Sequence, residues 1–408
     1  MNYKKHNPVR VYSTIRFFSA LLFSVIVTVN LVYQATVVGL NPLQLVLVGT
    51  LLETISFIFE IPTGIVADVY SRKLSVMIGL LLIGLGFTIE GLFPTFGAVL
   101  LAQVVWGIGF TFVSGAREAW IADEIGEDKA GIVYSKGSQM SLVGSLIGIA
   151  LSMVLASINI RLPIILGGIL YSFQSLYLYF FMPEVNFHPT PTKDRGNFSA
   201  MKTTFNAGIR LIKESPVLLT IIITGLIFGM FSEGFDRLWT PFMIHDFTFP
   251  SFGNLKPVIW FGILAMIANI LAILTIRYVE SKTDLNNHKS TVRMMLIVNG
   301  LLSVVVIIFG LSGNFLIAAL GFWMVSMFRE ARGPIYDAWT NQNLEPSVRA
   351  TVLSMCSQAN ALGQIGGGPI LGLIATAISL RVSLILAGCF LIPTLFFYSN
   401  SMRKHKLP

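Results

Sequence analysis

The sequence predicts an all-α integral membrane protein with twelve transmembrane helices arranged as two parallel six-helix repeats. Three observations support this: an apolar composition, twelve apolar runs of membrane-spanning length, and an internal repeat that relates the two halves. The chain of 408 residues is 54% hydrophobic and only 12% charged, with a mean hydropathy of +0.75. A water-soluble protein of this composition would expose large apolar patches, so the composition excludes a soluble globule.

Each apolar run is long enough to form a membrane-spanning helix, since a helix needs about 20 residues to cross a hydrocarbon core of about 30 Å. Charged residues and Gly, Pro or Asn separate the runs. The predicted spans are 11–38, 43–67, 74–93, 96–117, 132–157, 161–182, 216–243, 257–279, 291–311, 314–333, 348–376 and 379–400.

The longest polar segment lies between the sixth and seventh spans and divides the spans into six and six. The predicted domains are therefore an N-terminal bundle over 1–183, a cytoplasmic linker over 184–215 and a C-terminal bundle over 216–408. Apolar residues within the linker approximate a helical stripe, which predicts an amphipathic helix over 199–214 along the membrane surface.

Basic residues concentrate in every second turn. Almost all of the 28 lysines and arginines lie before the first span or after an even-numbered span, whereas the turns after odd-numbered spans hold only Arg161, Lys256 and Arg381. By the positive-inside rule, both termini are cytoplasmic. Orientation in a plasma membrane thus explains the net charge of +8, and no nucleic-acid partner is needed.

An internal repeat supports the six-plus-six division independently of hydropathy. Both copies start on the same side of the membrane, so the repeats are parallel. Glycines spaced four residues apart also let helices approach closely, so we expect tight helix contacts in both copies. The matching segments are Glu118-Ala-Trp120 with Asp337-Ala-Trp339, Gly144 with Gly363, and Gly148 with Gly367.

The turn between the second and third spans, from Glu60 to Lys73, carries a recognisable pattern. Gly64, Asp68, Arg72 and Lys73 resemble the loop signature of the major facilitator superfamily of transporters, Gly-x-x-x-Asp-x-x-x-Arg-Lys. The residues directly after Asp68 and before Arg72 depart from the family pattern. The resemblance implies the major facilitator fold and a cytoplasmic ion-pair latch, with Glu60 beside it. The alternative is a positive-inside loop without a moving part.

The stretch Ala-Arg-Glu-Ala-Trp-x-x-Asp-Glu over 116–124 is similar to the superfamily branch that includes bacterial tetracycline- and macrolide-efflux-like proteins. The resemblance implies a drug/proton antiporter that exports amphipathic small molecules by alternating access. This chain has Gln103 where the fourth-span signature of the family has arginine. Arg117 and Glu118, with Asp337 in the second half, are expected at a cytoplasmic gate. Alternatively, they are charged residues at cytoplasmic helix ends without a role in gating.

Ionisable residues inside predicted spans are candidate proton or substrate sites. Burying such a charge costs at least about 2.5 kcal/mol, so it faces a partner or a water-filled cavity. Glu53 lies near the middle of the second span and has either a proton-binding or a structural role. In the seventh span Glu233 and Arg237 are spaced to pair. That pairing leaves Asp236 as a second proton site, unless this is a solvated helix end. Arg329 is expected to meet an anionic substrate group or a proton-carrying acid.

Polar residues of the first span form a further candidate. Asn30 and Gln34 are four residues apart, so they share a helix face. They either line a substrate cavity, as the resemblance implies, or hold helices together by hydrogen bonds. The two cysteines lie in apolar runs and the five histidines are scattered, so we expect no metal site.

Other functional classes lack their signals. The sequence has no Gly-x-x-x-x-Gly-Lys phosphate-binding loop and no Ser/His/Asp set with a histidine in a span, which argues against an enzyme or an ATP-driven pump. No loop is long enough for a folded signalling domain. We expect a monomer without a cofactor that binds protons and a small-molecule substrate in the lipid bilayer. The rival is a major facilitator transporter of a specific metabolite or lipid-like compound, importing or exporting.

Overall fold

The computed structural model describes residues 6–189, 209–210, 212–213, 215–251, 256–342, 344 and 349–404. Over these residues the secondary structure contains helices and no strand. The helices are α1 (Pro8–Thr36), α2 (Pro42–Val69), α3 (Arg72–Leu92), α4 (Phe96–Val113), α5 (Ala116–Ile125), α6 (Glu127–Ile158), α7 (Arg161–Phe181), α8 (Pro216–Asp246), α9 (Val258–Lys282), α10 (His288–Leu311), α11 (Phe315–Gln342), α12 (Arg349–Ala377), α13 (Leu380–Phe390) and α14 (Ile392–Lys404).

Helices cover all twelve predicted spans, which confirms the all-helical prediction. Ten stretches of the described chain are long and apolar enough to cross a membrane. Helices α11 and α12 are not among the ten, because α11 carries charged side chains in its second half and α12 is rich in glycine and amide side chains. The predicted amphipathic helix over 199–214 lies outside the described residues except at 209–210 and 212–213.

Two predicted spans are interrupted in the structure. The fourth is followed by a separate short helix, α5, because Gly115 adopts a φ of 72°, a conformation that glycine tolerates and other residues rarely adopt. The twelfth is divided at Leu391 between α13 and α14. Pro393 follows as the second residue of α14, where its missing N–H costs no helical hydrogen bond.

Polar side chains fix where many helices begin. In each case a side-chain oxygen accepts a hydrogen bond from a main-chain N–H of the first turn, which would otherwise lack a partner. The capping residues are Asn7, Ser71, Thr95, Ser215, Asn287 and Ser379.

One compact unit comprises Met1–Leu40, Leu51–Arg195 and Ser251–Ile263. Within it α1 packs along α6 and α7, and α3 packs along α4 and α7. A Cβ atom added to Gly144 would lie 2.3 Å from the main-chain oxygen of Phe17, and one added to Gly148 would lie 2.3 Å from that of Leu21. The predicted close helix contact at these glycines is confirmed.

The second compact unit comprises Asn41–Thr50, Gly196–Pro250 and Leu264–Pro408. Here α8 packs along α12 and α13, while α10 packs along α11, α13 and α14. A Cβ on Gly363 would lie 2.0 Å from the main-chain oxygen of Leu226. A Cβ on Gly366, one turn away, would meet nothing within 4 Å. The glycine pattern thus marks the face of α12 that touches α8.

Large apolar side chains cover much of the outer surface. Such faces are unfavourable in water and suit contact with lipid chains. Examples more than half exposed are Val154, Phe173, Leu274, Leu316 and Phe396.

Candidate functional site

The residues of the predicted latch lie mostly on helices rather than in a turn. Helix α2 continues to Val69 and α3 begins at Arg72, so only two residues form the connection. Gly64 and Asp68 therefore belong to the last turns of α2, which corrects the expectation of a loop. A Cβ on Gly64 would meet nothing within 4 Å. Glu60, one turn earlier, is exposed.

Arg72 joins two helix ends. It forms an ion pair with Asp68, four residues earlier, and its Nε lies 3.4 Å from Oδ2 of Asp123 on α5. The predicted bridge between a carboxylate and a cation of this motif is therefore present, and it has a second acid that the motif did not indicate. The Asp68 side chain is about half exposed, so solvent screens much of this attraction.

Lys73 caps a different helix. Its Nζ donates to the main-chain oxygens of Tyr179 (3.0 Å) and Met182 (2.8 Å), at the end of α7 where carbonyl groups lack helical partners. Its main-chain N–H donates to Oε1 of Glu184 at 2.9 Å, and the Ser71 hydroxyl donates to Oε2 of the same carboxylate at 2.5 Å. The motif thus fixes the start of α3 to the end of α7.

Glu118 forms a second charged cluster. Its Oε1 accepts from Arg16 of α1 at 3.2 Å and from Nη2 of the adjacent Arg117 at 3.0 Å. The hydroxyl of Tyr134 on α6 donates to its main-chain oxygen at 3.0 Å. Glu118 therefore contacts α1 and α6 from α5. Asp337 lies on α11 in the other unit, and a gate role for it remains a prediction.

The acids of α8 form two ion pairs. Glu233 pairs with Arg237 as the spacing predicts, with a distance of 3.1 Å, and only 4% of the Glu233 side chain is exposed. The expectation that Asp236 is left over is wrong, since both of its oxygens accept hydrogen bonds from Arg329 of α11. Arg329 therefore does meet an acid. The sequence did not reveal this pair because its members are 93 residues apart.

The first residues of α2 cover Glu233. A Cβ on Gly49 would lie 1.7 Å from Oε1 of Glu233 and 2.3 Å from Nε of Arg237. One turn earlier, Val46 lies against Gly368 and Gly372 of α12. The carboxylate is therefore enclosed by main chain that only glycine allows to come so close.

The polar face of α1 meets an acid that the sequence interpretation overlooked. Gln34 Nε2 donates to Oε1 of Glu90 on α3 at 2.7 Å, and Glu90 is fully buried. Asn30 lies one turn away, and its Oδ1 is buried without a hydrogen-bond partner among the described residues. Glu53 is partly buried on α2. Glu90 lies near the end of the apolar run 74–93. An acid within a predicted span is the feature of the sequence that could have identified it as a candidate.

Arg332 lies on α11 in the same charged stretch as Arg329 and Asp337, and it is only 6% exposed. Its guanidinium carbon lies 3.7 Å from the ring centre of Phe228 and 4.6 Å from that of Tyr336. Its Nε and Nη2 are buried, with no hydrogen-bond partner among the described residues. Stacking on two rings stabilises the cation, yet two donor groups remain available.

The described residues contain no group of three or more His, Cys, Asp or Glu side chains that could hold a metal ion. The candidate site consists instead of buried or half-buried acids, arginines and amides distributed over the membrane-spanning helices. Such groups are expensive in a bilayer and are typical of ion and substrate pathways.

Comparison with known proteins agrees with this interpretation. The Major Facilitator Superfamily model matches residues 12–291. An uncharacterized MFS-type transporter, YxaM of Bacillus subtilis (strain 168), is 26% identical over 361 residues, covering 88% of this chain and 87% of its own.

Solved structures share the fold at low identity. A POT family transporter in complex with a thioalcohol-conjugated peptide has a TM-score of 0.75 at 12% identity and covers 98% of this chain and 96% of its own. The nucleoside transporter NupG has a TM-score of 0.75 at 16% identity, covering 98% and 100%. An inward-facing bacterial homologue of the human lysosomal transporter Spinster has a TM-score of 0.74 at 14% identity, covering 97% and 96%. The chain therefore belongs to the Major Facilitator Superfamily and is a multi-pass membrane transporter of that type.

Proposed function

We propose that this protein is a proton-coupled exporter of amphipathic small molecules. It works by alternating access of two parallel six-helix repeats, as a monomer in the plasma membrane with both termini in the cytoplasm. Matching helix pairs support the repeats, since α1 packs on α6 in the first unit as α8 packs on α12 in the second.

The observation that carries the proposal is the pair formed by Asp236 of α8 and Arg329 of α11. Both carboxylate oxygens accept hydrogen bonds from the guanidinium, which makes this a bidentate ion pair, the strong form of the interaction. A proton on Asp236 removes the negative member and leaves Arg329 charged. Proton binding and the contact between α8 and α11 are therefore linked, which is the requirement for coupling.

Reconstituted liposomes with an imposed pH gradient test this proposal directly. We expect dye transport to follow the gradient and to stop when a protonophore collapses it. Asp236→Asn removes the proton site, so it should abolish gradient-driven transport while substrate exchange without a gradient continues. Transport that persists unchanged after collapse would refute the coupling. Glu53→Gln with full gradient-driven transport would remove Glu53 from the mechanism.

The latch interpretation of the α2–α3 connection rests on the bridge from Arg72 to Asp68 and Asp123. The open space beside Gly64 provides a test. Gly64→Ala should leave the unfolding temperature unchanged or slightly higher, because alanine favours helix, yet slow transport if another segment closes against this turn. Gly131→Ala on α6 is the matched control, since a Cβ there also meets nothing within 4 Å. Equal transport rates for the two variants would contradict the latch.

A second candidate function is transport of a specific metabolite that carries an anionic group. Arg332 favours it, because two N–H-bearing atoms of its stacked guanidinium have no hydrogen-bond partner among the described residues. Such a pair of donors suits a carboxylate or phosphate. A substrate panel that includes organic anions separates the two functions. Anion transport that is lost in Arg332→Lys, with dyes excluded, would favour this second function.

A further inference from the structure

Glu90 lies at the centre of a hydrogen-bonded cluster in the first unit. Its carboxylate accepts from Gln34 of α1 at 2.7 Å and from Gln103 of α4 at 3.4 Å. Trp106 Nε1 donates to Gln103 Oε1 at 2.9 Å, and the Tyr33 hydroxyl donates to the main-chain oxygen of Glu90 at 2.7 Å. The side chain of an acid on α3 is thus held by amides from two other helices and is shielded from solvent.

Among the described residues, charged and titratable groups near this end of α3 lie on α1 and α7. Helix α1 contributes the Tyr33 hydroxyl, and α4 contributes amide and indole groups. Helix α7 contributes Arg161, which donates to the main-chain oxygens of the two residues after Glu90. Helix α5 meets α3 at the opposite end, where Asp123 pairs with Arg72. Arg161 therefore binds the carbonyl end of α3, and amides contact the carboxylate itself.

An amide partner suits both protonation states of an acid. Gln34 Nε2 donates to the carboxylate. Gln34 Oε1 is buried and accepts no hydrogen bond from the part of the chain that the structure describes, and the same holds for Oδ1 of Asn30 one turn away. A protonated carboxyl has one O–H to donate. A rotation of the Gln34 side-chain amide that exchanges the positions of Nε2 and Oε1 brings Oε1 against Glu90. The same side chain then accepts the hydrogen bond from the protonated carboxyl. A cation at this position would instead favour the charged state alone.

We propose that Glu90 is a proton-binding group of the first unit, with the Gln34 amide as the partner that changes from donor to acceptor. The step transfers one proton from hydronium to one carboxylate oxygen: an O–H bond of hydronium breaks, the carboxyl O–H bond forms and water is left. This inference deepens the proposed function, and its role in transport depends on that function. Proton binding by Glu90 can nevertheless be measured without any transport.

The test is infrared difference spectroscopy of the full protein in lipid, comparing spectra at about pH 8 and about pH 6. Most exposed carboxyl groups titrate near about pH 4, so they do not contribute to this difference spectrum. We expect a carboxylic acid C=O band in the acid form that disappears in Glu90→Gln. Glu60→Gln, which removes an exposed acid, should keep the band. A folded Glu90→Gln protein that loses none of the C=O absorbance, or no C=O band in the unaltered protein, would overturn the inference. A C=O band from Asp236 is identified separately by its loss in Asp236→Asn.

A second variant covers the case in which Glu90→Gln does not fold. Gln34→Met removes the amide, so the acid O–H loses its acceptor and the C=O band should move to higher frequency. An unmoved band would overturn the proposed partner role.

Transport in the same liposomes separates this inference from the proposed function. A Glu90 band together with transport that ignores the pH gradient supports proton binding by Glu90 and refutes proton coupling. Gradient-driven transport without any Glu90 band supports proton coupling and overturns the inference. If both hold, Glu90→Gln should lower gradient-driven transport at least tenfold while substrate exchange continues.

Discussion

The ion pair between Glu233 and Arg237 makes a quantitative prediction about stability. The two side chains are 3.1 Å apart, and 4% and 19% of their surfaces are exposed. Replacing Glu233 by methionine keeps the volume close to that of the acid and leaves Arg237 without this partner. Breaking a buried pair in this way costs about 3–5 kcal/mol, because the remaining charge stays desolvated. Since Arg237 is partly exposed, we expect the lower end, about 3 kcal/mol.

A double-mutant cycle isolates the interaction from other effects of each substitution. Glu233→Met and Arg237→Met should each destabilise the protein, whereas the double variant should lie within about 1 kcal/mol of the unaltered protein, since an apolar pair removes both buried charges. The coupling free energy is read from unfolding in mixed detergent micelles, followed by circular dichroism. A cycle in which the two single effects simply add would show that the pair contributes nothing and would refute this reasoning.

Two further predictions concern a close helix contact and a buried hydrogen bond. Gly363→Ala should lower the free energy of unfolding by about 1–3 kcal/mol, because its Cβ would lie 2.0 Å from the main-chain oxygen of Leu226. Gly366→Ala, on the open face of α12, should leave that free energy unchanged. Equal unfolding temperatures for the two variants would contradict the close contact. Trp120→Phe should lower the free energy of unfolding by about 1 kcal/mol or more, since the indole N–H donates to the main-chain oxygen of Pro183 at 2.6 Å in a buried site. Full stability of this variant in the same unfolding assay would argue against that hydrogen bond.

Local patterns made the successful predictions possible. Hydropathy located the twelve runs that the structure shows as helices, and the four-residue glycine spacing marked the faces where α6 and α12 approach their neighbours. The spacing of Glu233 and Arg237 similarly predicted their pair, because residues four apart share a helix face. Each of these predictions depends on a pattern of residues within a single helix.

Contacts between helices distant in sequence could not be predicted in the same way. Asp236 and Arg329 are 93 residues apart, and Gln34 and Glu90 are 56 apart, so no sequence period relates them. The break at Gly115 depends on a positive φ that many glycines in this chain do not adopt. Prediction of the site therefore failed where it depended on how separate helices pack.

The closeness of Gly49 to Glu233 has a consequence for chemical labelling. A hydrophobic carbodiimide modifies carboxyl groups in lipid surroundings, but Glu233 is only 3% exposed and the α2 main chain at Gly49 lies against Oε1. The adduct can form only after the first turns of α2 have separated from α8. The rate of modification would therefore measure how often that separation occurs, and it would do so without any knowledge of the transported compound.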